Sequence, residues 1–247
     1  MAATERASKP VKNLVTLLEV IFLPLLCVAG AAAVLIWVLH WDPSRQLTRG
    51  LLYLVLALAS LAMARCRFSF KSIGVTRRDI LRGLAYAAIV LVVTLAFIFL
   101  LQLPVSLVSL SPALLSPVLF YLAVALGEEI YFRGLMFQGF SRWKGPVTAV
   151  ICSVLVFGLF HVPLQGWHGV ALALSMGLPF AVVRLRTNNI IGLIFAHWLI
   201  DLVDSFFRLS PVGLGTVWVG VLYVAVFGGL STGLWLLGRR DGVQKST

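Results

Sequence analysis

The stretch Val118–Phe140, VLFYLAVALGEEIYFRGLMFQGF, is long and apolar enough to cross a lipid bilayer, yet it contains two adjacent glutamates and an arginine. A transmembrane helix needs about 20 mainly apolar residues. The three charged residues are Glu128, Glu129 and Arg133. A charge near the bilayer centre costs roughly 2.5–3.5 kcal/mol on insertion scales, so such residues are rare unless they are paired or functional. The stretch therefore predicts a membrane helix that carries a functional site.

The rest of the chain has the composition of a protein that crosses a membrane several times. Of its 247 residues, 60% are hydrophobic and only 12% are charged. The candidate spans, some of them short, are Leu14–His40, Gly50–Ala64, Gly83–Leu103, Leu114–Phe140, Val147–Val162, Val170–Val183, Ile190–Phe206 and Val212–Leu237. We predict an all-α fold over residues 1–247, a single integral membrane domain of about eight transmembrane helices with an active-site cavity inside the membrane.

The net charge of +11 does not indicate a nucleic-acid-binding protein, because the basic residues alternate between the two ends of the predicted spans. Most of them fall at one end: Arg6, Lys9, Lys12, Arg65, Arg67, Lys71, Arg77, Arg78, Arg82, Arg142, Lys144, Arg184, Arg186, Arg239, Arg240 and Lys245. The opposite end has Arg45, Arg49 and Arg208. The positive-inside rule then predicts that both termini are cytoplasmic. The many small residues and arginines are typical of a bacterium, so we expect the bacterial inner membrane.

Two other predicted spans carry ionisable residues within apolar sequence. One contains His161 in the stretch FGLFH, and another contains His197 and Asp201 in the stretch HWLID. A helix rises about 1.5 Å per residue, so these three residues and Glu128 lie at compatible depths near the middle of the membrane. The sequence therefore predicts that three helices bring their polar side chains together.

The two adjacent glutamates differ in the partners available to them. Glu129 and Arg133 are four residues apart, so they lie on one helix face and can pair without any chemistry. Glu128 is turned about 100° away, and it needs another partner or a water-filled cavity. A glutamate that faces a histidine across a water is a general-base arrangement, which we expect for Glu128 and His161. The alternative is that these polar residues only hold helices together.

Three motifs follow one another on successive apolar segments: E-E-x-x-x-R, F-x-x-x-H and H-x-x-x-N/D. In this order they resemble the CPBP family, the CAAX proteases and bacteriocin-processing intramembrane endopeptidases. This family is also called the ABI or type II CAAX prenyl endopeptidase family, and includes CAAX prenyl protease 2-like and lysostaphin-resistance-protein-A-like members. The matching residues are Glu128, Glu129, Arg133, Phe157, His161, His197 and Asp201. The motif-bearing catalytic core covers about residues 114–206.

The resemblance implies an intramembrane peptidase. In that picture, a water held between Glu128 and His161 hydrolyses a peptide bond in a membrane-bound protein or peptide. It favours a glutamate-dependent mechanism without a cofactor, and the alternative is a zinc-dependent protease with Glu128, His161 and His197 as the ligands. The partners expected are this substrate and the lipid bilayer, with no nucleic acid, and the sequence predicts no oligomeric state.

The resemblance also implies roles for the remaining motif residues. His197 and Asp201 lie on the side where the oxyanion forms, while Glu129 and Arg133 hold the site together and Phe157 forms a wall. Eukaryotic relatives carry asparagine at the position of Asp201, and an ionised carboxylate cannot donate to an oxyanion as an amide does. Either Asp201 is protonated, or it accepts a hydrogen bond from His197 and fixes the ring tautomer, which is the role we expect.

Two other classes of function are compatible with the same residues. A non-catalytic immunity or scaffold protein of this fold would keep the motifs as contacts between helices. A proton-coupled transporter would also use buried carboxylates and histidines, but the chain shows no repeat between its two halves. Prenylated tails, leader peptides and membrane-embedded sorting signals are all compatible substrates of a peptidase.

Overall fold

The computed structural model describes residues 2–107, 111–211 and 216–243, and most of them are helical. The helices are α1 (Ala2–Ala33), α2 (Gln46–Arg67), α3 (Ile80–Leu101), α4 (Leu115–Glu128), α5 (Phe137–Lys144), α6 (Pro146–Phe160), α7 (Val162–Thr187), α8 (Ile191–Asp201), α9 (Val203–Phe206) and α10 (Thr216–Val243). A π-helical turn over Val34–Val38 extends α1, and another over Glu129–Met136 joins α4 to α5. A short 3₁₀ helix over Pro112–Leu114 precedes α4.

Every predicted span corresponds to an apolar helix. Six helical stretches are long and apolar enough to cross a membrane: Asn13–Val38, Gln46–Arg67, Ile80–Leu101, Pro112–Lys144, Gln165–Thr187 and Trp218–Leu237. Two shorter apolar helices, Pro146–Phe160 and Ile191–Asp201, account for the remaining two predicted spans. The all-α polytopic membrane fold is therefore confirmed. The first residues predicted for the last span, 212–215, lie outside the described residues.

A two-stranded antiparallel ribbon was not predicted. Strand β1 (Gln102–Leu107) follows α3 and pairs with β2 (Phe207–Pro211), which follows α9. The third predicted span continued to Leu103, but the helix ends at Leu101. Pro104 explains this earlier end, because proline has no N–H for the helix ladder and disfavours helical backbone at the preceding residue.

Helix α7 lies at the centre of the bundle. Of the most apolar stretch of this helix, 59% is buried inside the protein. The corresponding figure for the first span is 11%, so most of the surface of that span faces lipid. Helix α7 packs against α6, α10 and α3, while α4 packs against α2 and α8. The π-helical turn that follows α4 contacts both α6 and α7, and α4 contacts α8, so the helices that carry the three motifs are neighbours.

Small residues let two pairs of helices approach closely. A Cβ atom at Gly192 of α8 would lie 2.7 Å from the carbonyl oxygen of Gly83 on α3. A Cβ atom at Gly127 of α4 would lie 2.7 Å from the carbonyl oxygen of Tyr53 on α2. Because lipid provides little hydrophobic drive for helix association, such close packing contributes strongly to the bundle.

Contacts among α1, α2 and α5 hold one end of the bundle together. Arg67 Nη2 lies 2.5 Å from Glu19 Oε1, and Arg142 Nη1 donates to the Arg67 carbonyl oxygen at 3.2 Å. Asn13 Nδ2 donates in turn to the Arg142 carbonyl oxygen at 3.2 Å. These residues lie at the end that the sequence predicts to be cytoplasmic.

Candidate active site

The first motif lies on a π-helical turn in the middle of the bundle. Helix α4 ends at Glu128, and the π-helical turn runs over Glu129–Met136. Every residue from 127 to 137 is buried, including both glutamates and Arg133. Such π-helical insertions are rare and are frequently found at functional sites. The wider turn gives the motif a geometry that a regular α-helix would not provide.

Glu129 joins two of the three motifs. Its Oε1 atom accepts a hydrogen bond from Arg133 Nη1 at 3.1 Å and lies 2.8 Å from His197 Nδ1. Glu129 is fully buried and Arg133 is 2% exposed, so neither charge is solvated by bulk water. A buried charge needs a paired and hydrogen-bonded partner. The ion pair expected between Glu129 and Arg133 is present, and His197 is an additional partner of the same oxygen.

His197 on α8 is surrounded by three carboxylates. Its Nδ1 atom contacts Glu129, while its Nε2 atom lies 3.4 Å from Asp201 Oδ2 and 3.7 Å from Glu128 Oε2. An imidazole can donate from both nitrogens only when it is protonated. Glu129 was not predicted as a partner of this ring, and it accepts a hydrogen bond from Nδ1, whereas Asp201, the expected acceptor, faces Nε2.

Glu128 has surroundings different from those of Glu129. It is 2% exposed and, like Glu129, has a buried Oε2 atom with no hydrogen bond among the described residues, but Arg133 bonds Glu129 and not Glu128. The phenol ring of Tyr53 on α2 lies close to this carboxylate. Tyr53 was not predicted, because it lies in an apolar stretch without a motif. The only signal for it is Gly127, whose lack of a side chain lets the backbone of Tyr53 approach.

His161 lies where the helical chain is interrupted. Helix α6 ends at Phe160, and Gly166 has non-helical backbone angles with φ of 64° inside α7. His161 Nδ1 lies 2.9 Å from the carbonyl oxygen of Phe157, an acceptor, so Nδ1 carries the proton and Nε2 keeps a lone pair. Within the described part of the chain, no hydrogen bond or ion pair joins His161 to Glu128, whose nearest histidine contact is His197.

Two phenylalanines enclose the Arg133 guanidinium. Its Cζ atom lies 3.9 Å from the centroid of the Phe157 ring and 5.4 Å from that of Phe180. A desolvated cation–π contact contributes about 2 kcal/mol. Phe157 also meets the His161 ring edge to face at 4.7 Å, so it links the first two motifs. A role for Phe180 was not predicted from the sequence, because this residue belongs to none of the three motifs.

A cavity of about 110 Å³ opens beside these side chains. It is lined by Arg133, Phe157, His161, Gln165, Leu172, Ala173, Met176, Phe180, His197 and Asp201. One water molecule needs at least about 10–15 Å³ of cavity volume, so this cavity has room for several water molecules. Each of the three motifs contributes a lining residue, with Arg133 from the first, although Glu128 and Glu129 do not line this cavity.

The residues considered as zinc ligands do not form a metal-binding group. Among the described residues, no three His, Cys, Asp or Glu side chains are arranged to hold a metal ion. Glu128 approaches His197 rather than His161. The set of Glu128, His161 and His197 therefore does not fit zinc in this geometry.

A comparison with family models identifies the motif-bearing part of the chain. Residues 109–203 match the family described as Rce1-like, the type II CAAX prenyl endopeptidases. The match contains all seven motif residues and overlaps the predicted core of residues 114–206. No curated protein and no solved structure matches the chain. The predicted resemblance to the Rce1-like type II CAAX prenyl endopeptidases, a family of peptidases, is thus confirmed over residues 109–203.

Proposed function

We propose that the protein is an intramembrane endopeptidase that hydrolyses a peptide bond in a membrane-associated protein or peptide. The main support is the geometry around His197, which contacts two buried glutamates from the first motif and lies on a cavity shared with His161. The family match to endopeptidases agrees with this function.

Glu128 is the general base in this proposal. Its Oε2 atom is free to accept a proton from a water molecule, because no described residue donates a hydrogen bond to it. His161 keeps a lone pair at Nε2, so it can accept a hydrogen bond from the same water and orient it. The activated oxygen attacks the carbonyl carbon of the peptide bond while its proton moves to Glu128.

His197 stabilises the oxyanion that this attack produces. Glu129 holds Nδ1 at 2.8 Å, which leaves the Nε2–H group to donate toward the negative oxygen. Asp201, 3.4 Å from Nε2, keeps the ring charged and oriented before the substrate binds. When the tetrahedral intermediate collapses, the carbon–nitrogen bond breaks and the proton held by Glu128 passes to the leaving amine. The products are an amine and a carboxylic acid, which then gives its remaining proton to the amine or to water, so no other reagent is needed.

The proposed orientation places both termini in the cytoplasm of a bacterium, with the protein in the inner membrane. Three basic segments meet at one end of the bundle: Arg184 donates to the Ser72 carbonyl oxygen, and Arg142 donates to that of Arg67. The positive-inside rule assigns such an end to the cytoplasm. Labelling of Cys66, an exposed residue at this end, by an impermeant maleimide is expected only after the membrane is opened.

A reconstituted system tests the proposed activity. Purified protein in phosphatidylglycerol and phosphatidylethanolamine liposomes is given a pool of palmitoylated peptides, and new fragments are sought by mass spectrometry. We expect cleavage by the wild type and none by His161→Ala inserted at equal amount. A second comparison measures the masses of membrane proteins in cells with and without the gene. If the wild type cleaves no peptide in the pool, and no membrane protein changes mass when the gene is absent, the protein is a non-catalytic member of the fold.

We expect Asp201→Asn to lower kcat by roughly 10- to 100-fold, because a hydrogen bond to a charged group contributes about 1.5–3 kcal/mol. The measurement is the pH–rate profile on a cleaved peptide. If Asp201 were instead a protonated donor to the oxyanion, asparagine would replace it without loss. A profile that kept its height and lost its fall at high pH would therefore contradict the role proposed for Asp201.

We expect metal chelators to leave the cleavage rate unchanged, because the proposed reaction uses only side chains and water. The protein is incubated with EDTA and with phenanthroline, dialysed, and assayed on a peptide that it cleaves. A lost rate that returns specifically on addition of zinc would contradict the metal-free mechanism.

A further inference from the structure

Arg184 is a buried cation that belongs to none of the three motifs. It lies in the last turn of α7 and is only 2% exposed. Its Nε atom donates to the carbonyl oxygen of Arg133 at 2.8 Å, and its Nη2 atom donates to that of Ser72 at 2.6 Å. Its Nη1 atom donates to Asn188 Oδ1. The guanidinium therefore connects the first motif to the segment that precedes α3.

The carbonyl group of Arg133 needs a donor because of the π-helical turn. In a regular α-helix the N–H group of residue 137 would donate to the carbonyl oxygen of residue 133. Here the Phe137 N–H group instead donates to the carbonyl oxygens of Gly134 and Phe132. A buried carbonyl group without a partner costs about 1–3 kcal/mol, and Arg184 provides the missing donor.

The surroundings of Arg184 are shaped to hold its guanidinium. Gly74 has a φ of 87°, a conformation that favours glycine, and a Cβ atom there would lie 3.1 Å from Arg184 Nε. The Phe137 ring lies on another side, with its centroid 5.1 Å from Arg184 Cζ. Lysine cannot reproduce these hydrogen bonds, because its single ammonium nitrogen cannot reach the acceptors that the planar guanidinium of arginine contacts with its separate N–H groups.

We propose that Arg184 is a positioning residue, which stabilises the π-helical turn and thereby fixes the motif glutamates against His197. The proposal rests on the function proposed above, but the geometry that carries it is independent of that function. Arg184 acts on the backbone of the residue whose side chain holds Glu129, which in turn holds His197. Loss of Arg184 should therefore disturb the geometry of the site although Arg184 touches no reacting group.

Hydrogen–deuterium exchange of the purified protein in detergent tests this proposal without a substrate. We expect Arg184→Gln to speed exchange of the amides of residues 131–138 by about 10- to 100-fold, since one hydrogen bond to a charged group is lost. Arg184→Lys keeps the positive charge and should give a smaller change. It is the variant to measure if Arg184→Gln fails to accumulate. The control is Arg186→Gln, because Arg186 donates to the Trp235 carbonyl oxygen and packs on its ring. Unchanged exchange in Arg184→Lys and Arg184→Gln, or the same change in Arg186→Gln, would overturn the proposal.

Kinetics then separate a positioning role from a general loss of structure. On a peptide that the wild type cleaves, we expect Arg184→Lys to lower kcat with little change in KM, and Arg186→Gln to leave both near the wild-type values. A variant that raised KM alone, or lowered kcat only in proportion to its folded fraction, would argue against positioning. If the wild type cleaves no peptide, the proposed function fails, whereas the exchange experiment still decides the role of Arg184.

Discussion

Glu128→Gln is expected to lower kcat by about 10²–10⁴-fold, the usual contribution of a general base, while the protein accumulates and melts as the wild type does. Glutamine keeps the size of the side chain and can still accept a hydrogen bond at its amide oxygen, but it cannot take a proton from water. Glu128 makes no close ion pair with Arg133, whose guanidinium bonds Glu129 instead. The loss should therefore fall on the chemical step, measured as single-turnover cleavage in liposomes.

Glu19→Gln is the matched control for this change. Glu19 lies on α1, and its Oε1 atom pairs with Arg67 Nη2 at 2.5 Å, away from the three motifs. The Glu19→Gln variant has the same chemical change in another membrane helix, and we expect its kcat to equal that of the wild type. Equal cleavage rates for Glu128→Gln and the wild type would show that Glu128 is not the base.

Arg133→Ala is expected to destabilise the folded protein as well as to inactivate it. The change leaves the fully buried Glu129 without its arginine partner and removes the guanidinium from between Phe157 and Phe180. Breaking a buried ion pair costs about 3–5 kcal/mol, and we expect the lower end of this range because His197 still contacts Glu129. The measurement is the thermal unfolding midpoint in detergent, with exposed Arg65→Ala as the control.

The double variant Glu129→Gln with Arg133→Ala separates charge from packing. Removing the carboxylate leaves no uncompensated negative charge at position 129, so the double variant should melt above Arg133→Ala. Recovery should be partial, because the contacts with the two phenylalanine rings remain lost. A single variant that melts with the wild type would refute the structural role of Arg133.

The sequence predicted the order and depth of the motif residues but not how the helices are rotated about their axes. Glu128, His161 and His197 were expected to meet, because helix rise and span boundaries determine depth. The structure brings Glu128 to His197, at 3.7 Å, rather than into contact with His161. Helix rotation depends on packing against neighbours, such as the close approach of Gly127 to Tyr53, which local sequence does not encode.

The π-helical turn was also beyond local sequence. The spacing of Glu129 and Arg133 is equally compatible with an α-helix, and the pair forms in either geometry. What compensates the π-helical turn is Arg184, a residue far along the chain that the sequence suggested only as a loop charge. The antiparallel ribbon likewise depends on pairing between residues about 100 positions apart. The local signal in the sequence was Pro104, which indicates the end of α3 but not the strand that pairs with β1.

The most direct test of the central claim is a single-turnover reaction in water enriched with oxygen-18, using a peptide that the wild type cleaves. The new carboxyl terminus is analysed by mass spectrometry for the wild type, Glu128→Gln and Glu19→Gln. If Glu128 activates water for peptide-bond hydrolysis, the wild type and Glu19→Gln place one oxygen-18 atom in each new carboxylate, and Glu128→Gln yields almost no product. Shortened peptide without oxygen-18, or labelled product formed by Glu128→Gln at the wild-type rate, would contradict it.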